Sequence, residues 1–242
     1  RLYVENAYNL GMLAGPDPDP ATRDWAAVNG KAVIGIDVAA NLGPFRWRAP
    51  AYIQKCIQSS TALGANGLNL CVRAPWRWPY SSDKVDPPEL QWNRDWLWFD
   101  AWGRYAWSPN RDPNTERAYW VYRLTQMYGA VEAANPLLDF FEQGADVLPA
   151  IQRLLWIGGD SHTVVAAGAY LDQIQKAGGA PFLPMPGVVR IPAYIDALKA
   201  GKPVEGTNPV DFLAAKVAEA EKALASAQAG AAAAVRNQPD AQ

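Results

Sequence analysis

KAVIGIDVAANLGPFRWRAPAYIQKCIQSSTALGANGLNLCVRA, residues 31 to 74, holds two apolar runs with a helical pattern between them. The first run, residues 31 to 39, carries Val33, Ile34, Ile36 and Val38 with hardly a polar break. The second, residues 67 to 74, carries Leu68, Leu70 and Val72. Strands that are apolar on consecutive rather than alternate residues are covered on both faces, as in a parallel sheet flanked by helices. Between them Pro50 suits a first helical turn, Ile53, Cys56, Ile57 and Leu63 recur at helical spacing, and Gly64 ends the pattern. Toward the N-terminus RLYVENAY is a further strand-like run, and GPDPDPATRDWAAVNG supplies a stiff turn and a short helix, so the start of the chain reads as βαβαβ.

From Gln91 onward the pattern turns helical. DWLWFDAWGRYAW is apolar on nearly every side and is expected in the core, with Trp92, Trp96, Trp98, Trp102 and Trp107 as packing residues. ERAYWVYRLTQMY follows a DPN start signal and stops at Gly129, and PLLDFFEQGADV starts after Asn135. The last helix runs from Pro209 to about Arg236 behind an Asn208 cap. Its stripe of Val210, Leu213, Val217, Ala220, Leu224, Ala227 and Ala231 predicts close packing against another helix. Three strands are few for a parallel sheet covered on both sides. The expected fold is therefore α/β: residues 1–91 as the last strands of a (β/α)8, TIM-type barrel, and residues 92–242 as a C-terminal α-helical region. A small open α/β sheet is the competing architecture.

Composition narrows the function. The 242 residues are half hydrophobic, enough for a substantial core, and 22 Lys and Arg nearly balance 24 Asp and Glu. That balance argues against nucleic acid, which needs clustered positive charge. No run of 18 or more apolar residues suggests a membrane span. Two cysteines, Cys56 and Cys71, read as buried free thiols rather than a disulfide framework, and a single histidine with no C-x-x-C argues against zinc. No nucleotide-binding glycine motif occurs, so neither a cofactor nor a metal is expected. The chain opens on Arg1 and runs at once into a strand-like segment, which suggests a processed or partial polypeptide whose export signal lies elsewhere; a secreted or periplasmic protein is the expectation.

Seven of the eleven tryptophans fall between Trp76 and Trp107, interleaved with Arg77, Arg94 and Arg104. Flat apolar rings beside hydrogen-bonding arginines suit pyranose sugars. In a parallel α/β sheet the functional side chains gather at the strand ends. There the sequence offers Glu5 with Asn6, Asp37 with Asn41, and Arg73 leading into PWRWPY. Two carboxylates from neighbouring strand ends fit glycosidic cleavage, one as acid and one as base or nucleophile. Glu5 and Asp37 are the catalytic candidates; Asn6, Asn41, Arg46, Arg48, Arg73, Trp76, Trp78 and Tyr80 are the substrate-binding ones. The plainer reading makes the same carboxylates helix caps or arginine partners. RLLWIGGDSHT, with Ser161, looks like an esterase serine block, but its only histidine, His162, is the immediate neighbour and cannot serve as a separate base. Asp17 and Asp19 in GPDPDP lack the glycine and distal glutamate of a calcium loop.

VIGIDVAANLGPFRWRAPAYIQKCIQSS, GANGLNLCVRAPWRWPY and RDWLWFDAWGRYAWSPNRD, with the run Trp102 to Pro109 as the most specific piece, resemble large bacterial glycoside hydrolases of polysaccharide degradation, broadly of the alpha-glucuronidase type. The resemblance implies a barrel with a helical C-terminal region, an oligo- or polysaccharide partner, and the remainder of the barrel polypeptide supplied from outside this chain. It carries no assigned catalytic residue onto this sequence. The expected function is part of a glycoside hydrolase cleaving a plant or algal polysaccharide with two carboxylates. A non-catalytic carbohydrate-binding or scaffold module and a polysaccharide lyase are the alternatives.

Overall fold

The computed structural model describes residues 2–7, 16, 32–38, 49–70, 78–81, 84–155 and 185–237. Three strands, β1 (Leu2–Ala7), β2 (Ala32–Val38) and β3 (Gly67–Leu70), pair in parallel in the order β1-β2-β3. Glu5 stands level with Gly35, and Asp37 stands level with Ala7 on one side and Asn69 on the other. Helix α1 (Pro50–Ala62) leads into β3. Then follow α2 (Gln91–Arg94), α3 (Trp96–Trp107), α4 (Pro113–Tyr128), α5 (Val131–Gln143), α6 (Val147–Leu155), α7 (Ile191–Lys199) and α8 (Pro209–Asn237).

The barrel is a correction. The described residues are mostly helical, and their strands end as an open sheet of three whose edges, β1 and β3, have no further strand beside them among the described residues. Continuous apolar runs report burial of a strand, which is a local property. Closure requires every strand to be paired on both edges, a non-local property that no run of Val and Ile encodes.

The core lies among the helices. α1 contributes Tyr52, Ile53, Cys56 and Ile57, α3 contributes Leu97, Trp98, Ala101, Trp102 and Tyr105, α4 adds Trp120 and Leu124, and α5 adds Ala134 and Leu138. Leu68 and Leu70 of β3 rest against its margin. Trp98 and Trp102 are 1% exposed and meet edge to face, centroids 6.4 Å apart. Burying such rings is the largest apolar contribution a side chain makes. Cys56 is fully buried in this core, and Cys71 lies outside the described residues.

Two of the five tryptophans expected as packing depart from the expectation. Trp92 is half-exposed, and Trp107, at the end of α3, is 89% exposed; Trp96 is only partly buried. The helical period places a ring on a face of the helix but does not say whether a neighbour covers that face, and among the described residues Trp107 is left open while Tyr105 of the same turn is buried. Helix α5 also begins earlier than Asn135, at Val131, and holds Pro136 in its interior. Proline there has no N–H for the carbonyl of Glu132, a loss the burial of Ala133, Ala134 and Leu138 outweighs.

Helix α8 packs along α5 and α6, though through a different face from the stripe read in the sequence. Ala223, Gly230 and Ala233 are buried, while Val210, Val217 and Leu224 are more than half exposed. Gly230 is required by the approach: a Cβ there would lie 2.7 Å from Leu137 Cγ and 3.3 Å from the Ala133 carbonyl oxygen. Lys216 Nζ reaches Asp146 at 3.2 Å and Ser226 donates to Gln143 at 3.0 Å, so polar pairs flank the small-residue contact.

Candidate functional site

Two places bring chemistry together. The first is an aromatic rim after β3. Residues 79–81 and 89–91 form a short antiparallel ladder, with Ser81 N donating to Glu89 O at 2.8 Å and Gln91 N to Pro79 O at 2.9 Å. That ladder sets Trp78 beside Trp92 edge to face, ring centroids 5.4 Å apart and planes at 85°. Trp78, Trp92 and Tyr80 are 42, 49 and 47% exposed, an aromatic surface open to solvent on a fixed backbone. Edge-to-face contact holds one ring still while its neighbour's face stays free.

The sequence-derived candidates divide by position. Trp78 and Tyr80 stand on this rim. Glu5, Asn6 and Asp37 have their backbones in β1 and β2, with Glu5 two register positions before Asp37 on the neighbouring strand. Asn41, Arg46, Arg48, Arg73 and Trp76 lie outside the described residues, as do Asp17, Asp19, Ser161 and His162. In the tryptophan-rich segment Asp95 pairs with Arg94 at 2.7 Å and Asp100 with Arg123 at 2.7 Å.

The second place is a cavity of about 710 Å³. Its walls are Ala51, Gln54, Lys55 and Gln58 of α1, the loop and helix start from Asn110 to Arg117, and Leu138 and Glu142 of α5, with Tyr105 and Trp120 at the base. Sequence reading missed it because its carboxylates sit inside helices, where a lone Glu has no distinguishing neighbour. Glu116 is 4% exposed and takes the Arg104 fork on both oxygens, Nε to Oε2 at 2.7 Å and Nη2 to Oε1 at 2.8 Å. Burial alone would raise its carboxyl; the bonded Arg104 guanidinium and Arg111 beside it hold it below the usual range. Arg104 also lies 3.5 Å over the Tyr119 ring and is itself pushed up by Glu116. Trp120 Nε1 donates to Tyr105 Oη at 2.9 Å, and burial pushes the Tyr105 phenol up, keeping it neutral.

Glu142 has the opposite setting. Burial pushes its carboxyl up, against the N–H of Ala51, which donates to Oε1 at 3.0 Å at the start of α1, and against Lys55 and Arg117. One cavity thus holds an anion locked in an arginine fork and a carboxyl shifted toward the neutral form. Among the described residues no three His, Cys, Asp or Glu side chains cluster as a metal would require.

No family model matches the chain, and no curated protein matches it. Among solved structures it is similar to a GH138 enzyme targeting pectin rhamnogalacturonan II, with 26% sequence identity and a TM-score of 0.76. The likeness covers 93% of this chain but 28% of the enzyme, so the chain spans little more than a quarter of that protein's length. It supports a glycoside-hydrolase-like protein and gives no support to the alpha-glucuronidase type or to a barrel.

Proposed function

We propose that this chain is part of a glycoside hydrolase acting on a pectic polysaccharide, with the aromatic rim as its sugar-contact surface. The observation that carries the reading is the likeness to a GH138 enzyme targeting pectin rhamnogalacturonan II along nearly the whole chain. The rim supports it, since exposed rings beside one another offer the flat apolar faces that pyranose C–H groups stack on.

Within that reading Glu5 and Asp37 are the acid and base. They lie on adjacent parallel strands two register positions apart, an even spacing that keeps two positions on one face of a sheet. With strands about 4.8 Å apart and about 3.3 Å of rise per residue, their Cα atoms are roughly 8 Å apart. Carboxylates carried at that spacing fall within reach of a single glycosidic bond. Asn6, Asn41, Arg46, Arg48, Arg73 and Trp76 are the accompanying substrate-contact residues.

The test is saccharide release from rhamnogalacturonan II oligosaccharides by the longer polypeptide that contains this chain. Glu5→Gln and Asp37→Asn each lower turnover by roughly a thousandfold or more while binding persists. Undiminished turnover in both removes them from the reaction. Glycan binding without any cleavage by the parent polypeptide identifies a binding module, and an unsaturated product identifies a lyase.

A further inference from the structure

The apolar stripe of α8 from Val210 to Ala231 is spaced by three and four residues in turn, which is the repeat of a coiled-coil seam. Helix α8 nevertheless packs on α5 and α6 through another side, with Ala223, Gly230 and Ala233 buried. Among the described residues the seam is left open: Val210, Val217 and Leu224 are more than half exposed, Ala220 and Ala231 are exposed, and Leu213 and Ala227 are only half-buried. A continuous apolar strip about 32 Å long marks a surface that another helix covers.

The residue types say which helix. In the register of the seam Val210, Val217 and Leu224 take the a positions, and Leu213, Ala220 and Ala227 take the d positions. Valine at a with leucine at d is the combination that favours two parallel strands. The flanks agree with that direction. Two charged side chains border the seam, Lys216 on one edge and Glu221, five residues on, along the other. A parallel pair sets each of them beside the opposite charge of a second copy, whereas an antiparallel pair brings the two Glu221 edges together. Lys216 is already held by Asp146 and Glu219 of its own chain, so this pairing steers direction more than it adds affinity. We propose that α8 docks on α8 of a second copy of this chain, as a parallel two-stranded coiled coil about a two-fold axis. One helix face a side is at the small end of protein interfaces, so the dimer is reversible. The inference stands on α8 alone and is independent of the aromatic rim.

The test is sedimentation of the whole chain across a range of concentrations. The parent passes from monomer to dimer as concentration rises. Val217→Lys and Leu224→Lys, each of which sets like charges face to face in one layer of the seam, raise the dissociation constant roughly a hundredfold or more. Both positions face solvent in a single copy, so each variant keeps the parent melting temperature at dilutions where the chain is monomeric. A Val210→Cys variant treated with a short bismaleimide cross-links to its own copy above the level of the parent, because the two positions meet in a parallel pair. An antiparallel pair centred on the seam holds them roughly 30 Å apart. The same cross-link forms in the longer polypeptide of the proposed function, where the seam stays open to a second copy. A monomer at every concentration, a dimer that neither lysine variant weakens, no cross-link at Val210→Cys, or a cross-link confined to the separate chain overturns the proposal.

Discussion

Glu116 and Glu142 are two carboxyls of one cavity with opposed environments, and each has its own pH signature. Glu116 is held below the ordinary glutamate value of 4.5, so its contribution to stability is complete above that value and is lost as pH falls through the lowered one. Glu116→Gln leaves Arg104 buried against a neutral partner and costs roughly 3 kcal/mol near neutral pH, a deficit that shrinks in acid. Glu142 is raised, so its contribution is complete below 4.5 and is lost as pH climbs through the raised value. Glu142→Gln keeps an oxygen for the Ala51 N–H and therefore melts at or above the parent temperature at neutral pH, the difference vanishing in acid. Thermal melts of both variants across the acid-to-neutral range check these signs. Neither residue stood out in the sequence. The tryptophans did, as a dense run from Trp76 to Trp107, whereas an ion pair between α3 and α4 leaves no local mark.

At the scale of elements, start and stop signals read well where they act through neighbours in sequence. Asp112 caps α4, accepting from Thr115 N at 2.9 Å, and Gly129 ends it with φ at 73°. Asn208 caps α8, accepting from Val210 N and Asp211 N at 3.0 Å each. Asn208→Ala is expected to cost about 1 kcal/mol in a denaturant titration. The face of α8 was less legible. Val210, Val217 and Leu224 form the stronger apolar pattern, yet the side that packs is the one whose small residues let two backbones approach. Gly230→Ala tests that contact. Helix propensity favours alanine by about 1 kcal/mol, but a Cβ 2.7 Å from Leu137 forces α8 away from α5, so a net loss of about 1–2 kcal/mol is expected. Val217→Lys, on the exposed side, leaves stability within about 0.5 kcal/mol.

For the whole molecule, strand identity and parallel direction were readable in residues 31 to 74, where the two continuous apolar runs supply β2 and β3, although β3 is only partly buried and exposes Asn69. The number of strands beside them was not, and the expectation of a barrel failed on that count. The tryptophan-rich segment serves two purposes: Trp98 and Trp102 fasten α3 into the core, while Trp78 and Trp92 face solvent. A period alone does not separate these roles; the ladder between residues 79–81 and 89–91 does. The most direct measurement is a calorimetric titration of the chain with rhamnogalacturonan II oligosaccharides, comparing the parent with a Trp78→Ala, Trp92→Ala double variant. Saturable binding that weakens roughly tenfold or more in the double variant is the expected result; equal affinity in both proteins, or no binding to either, contradicts the rim as the place where a pectic sugar is held.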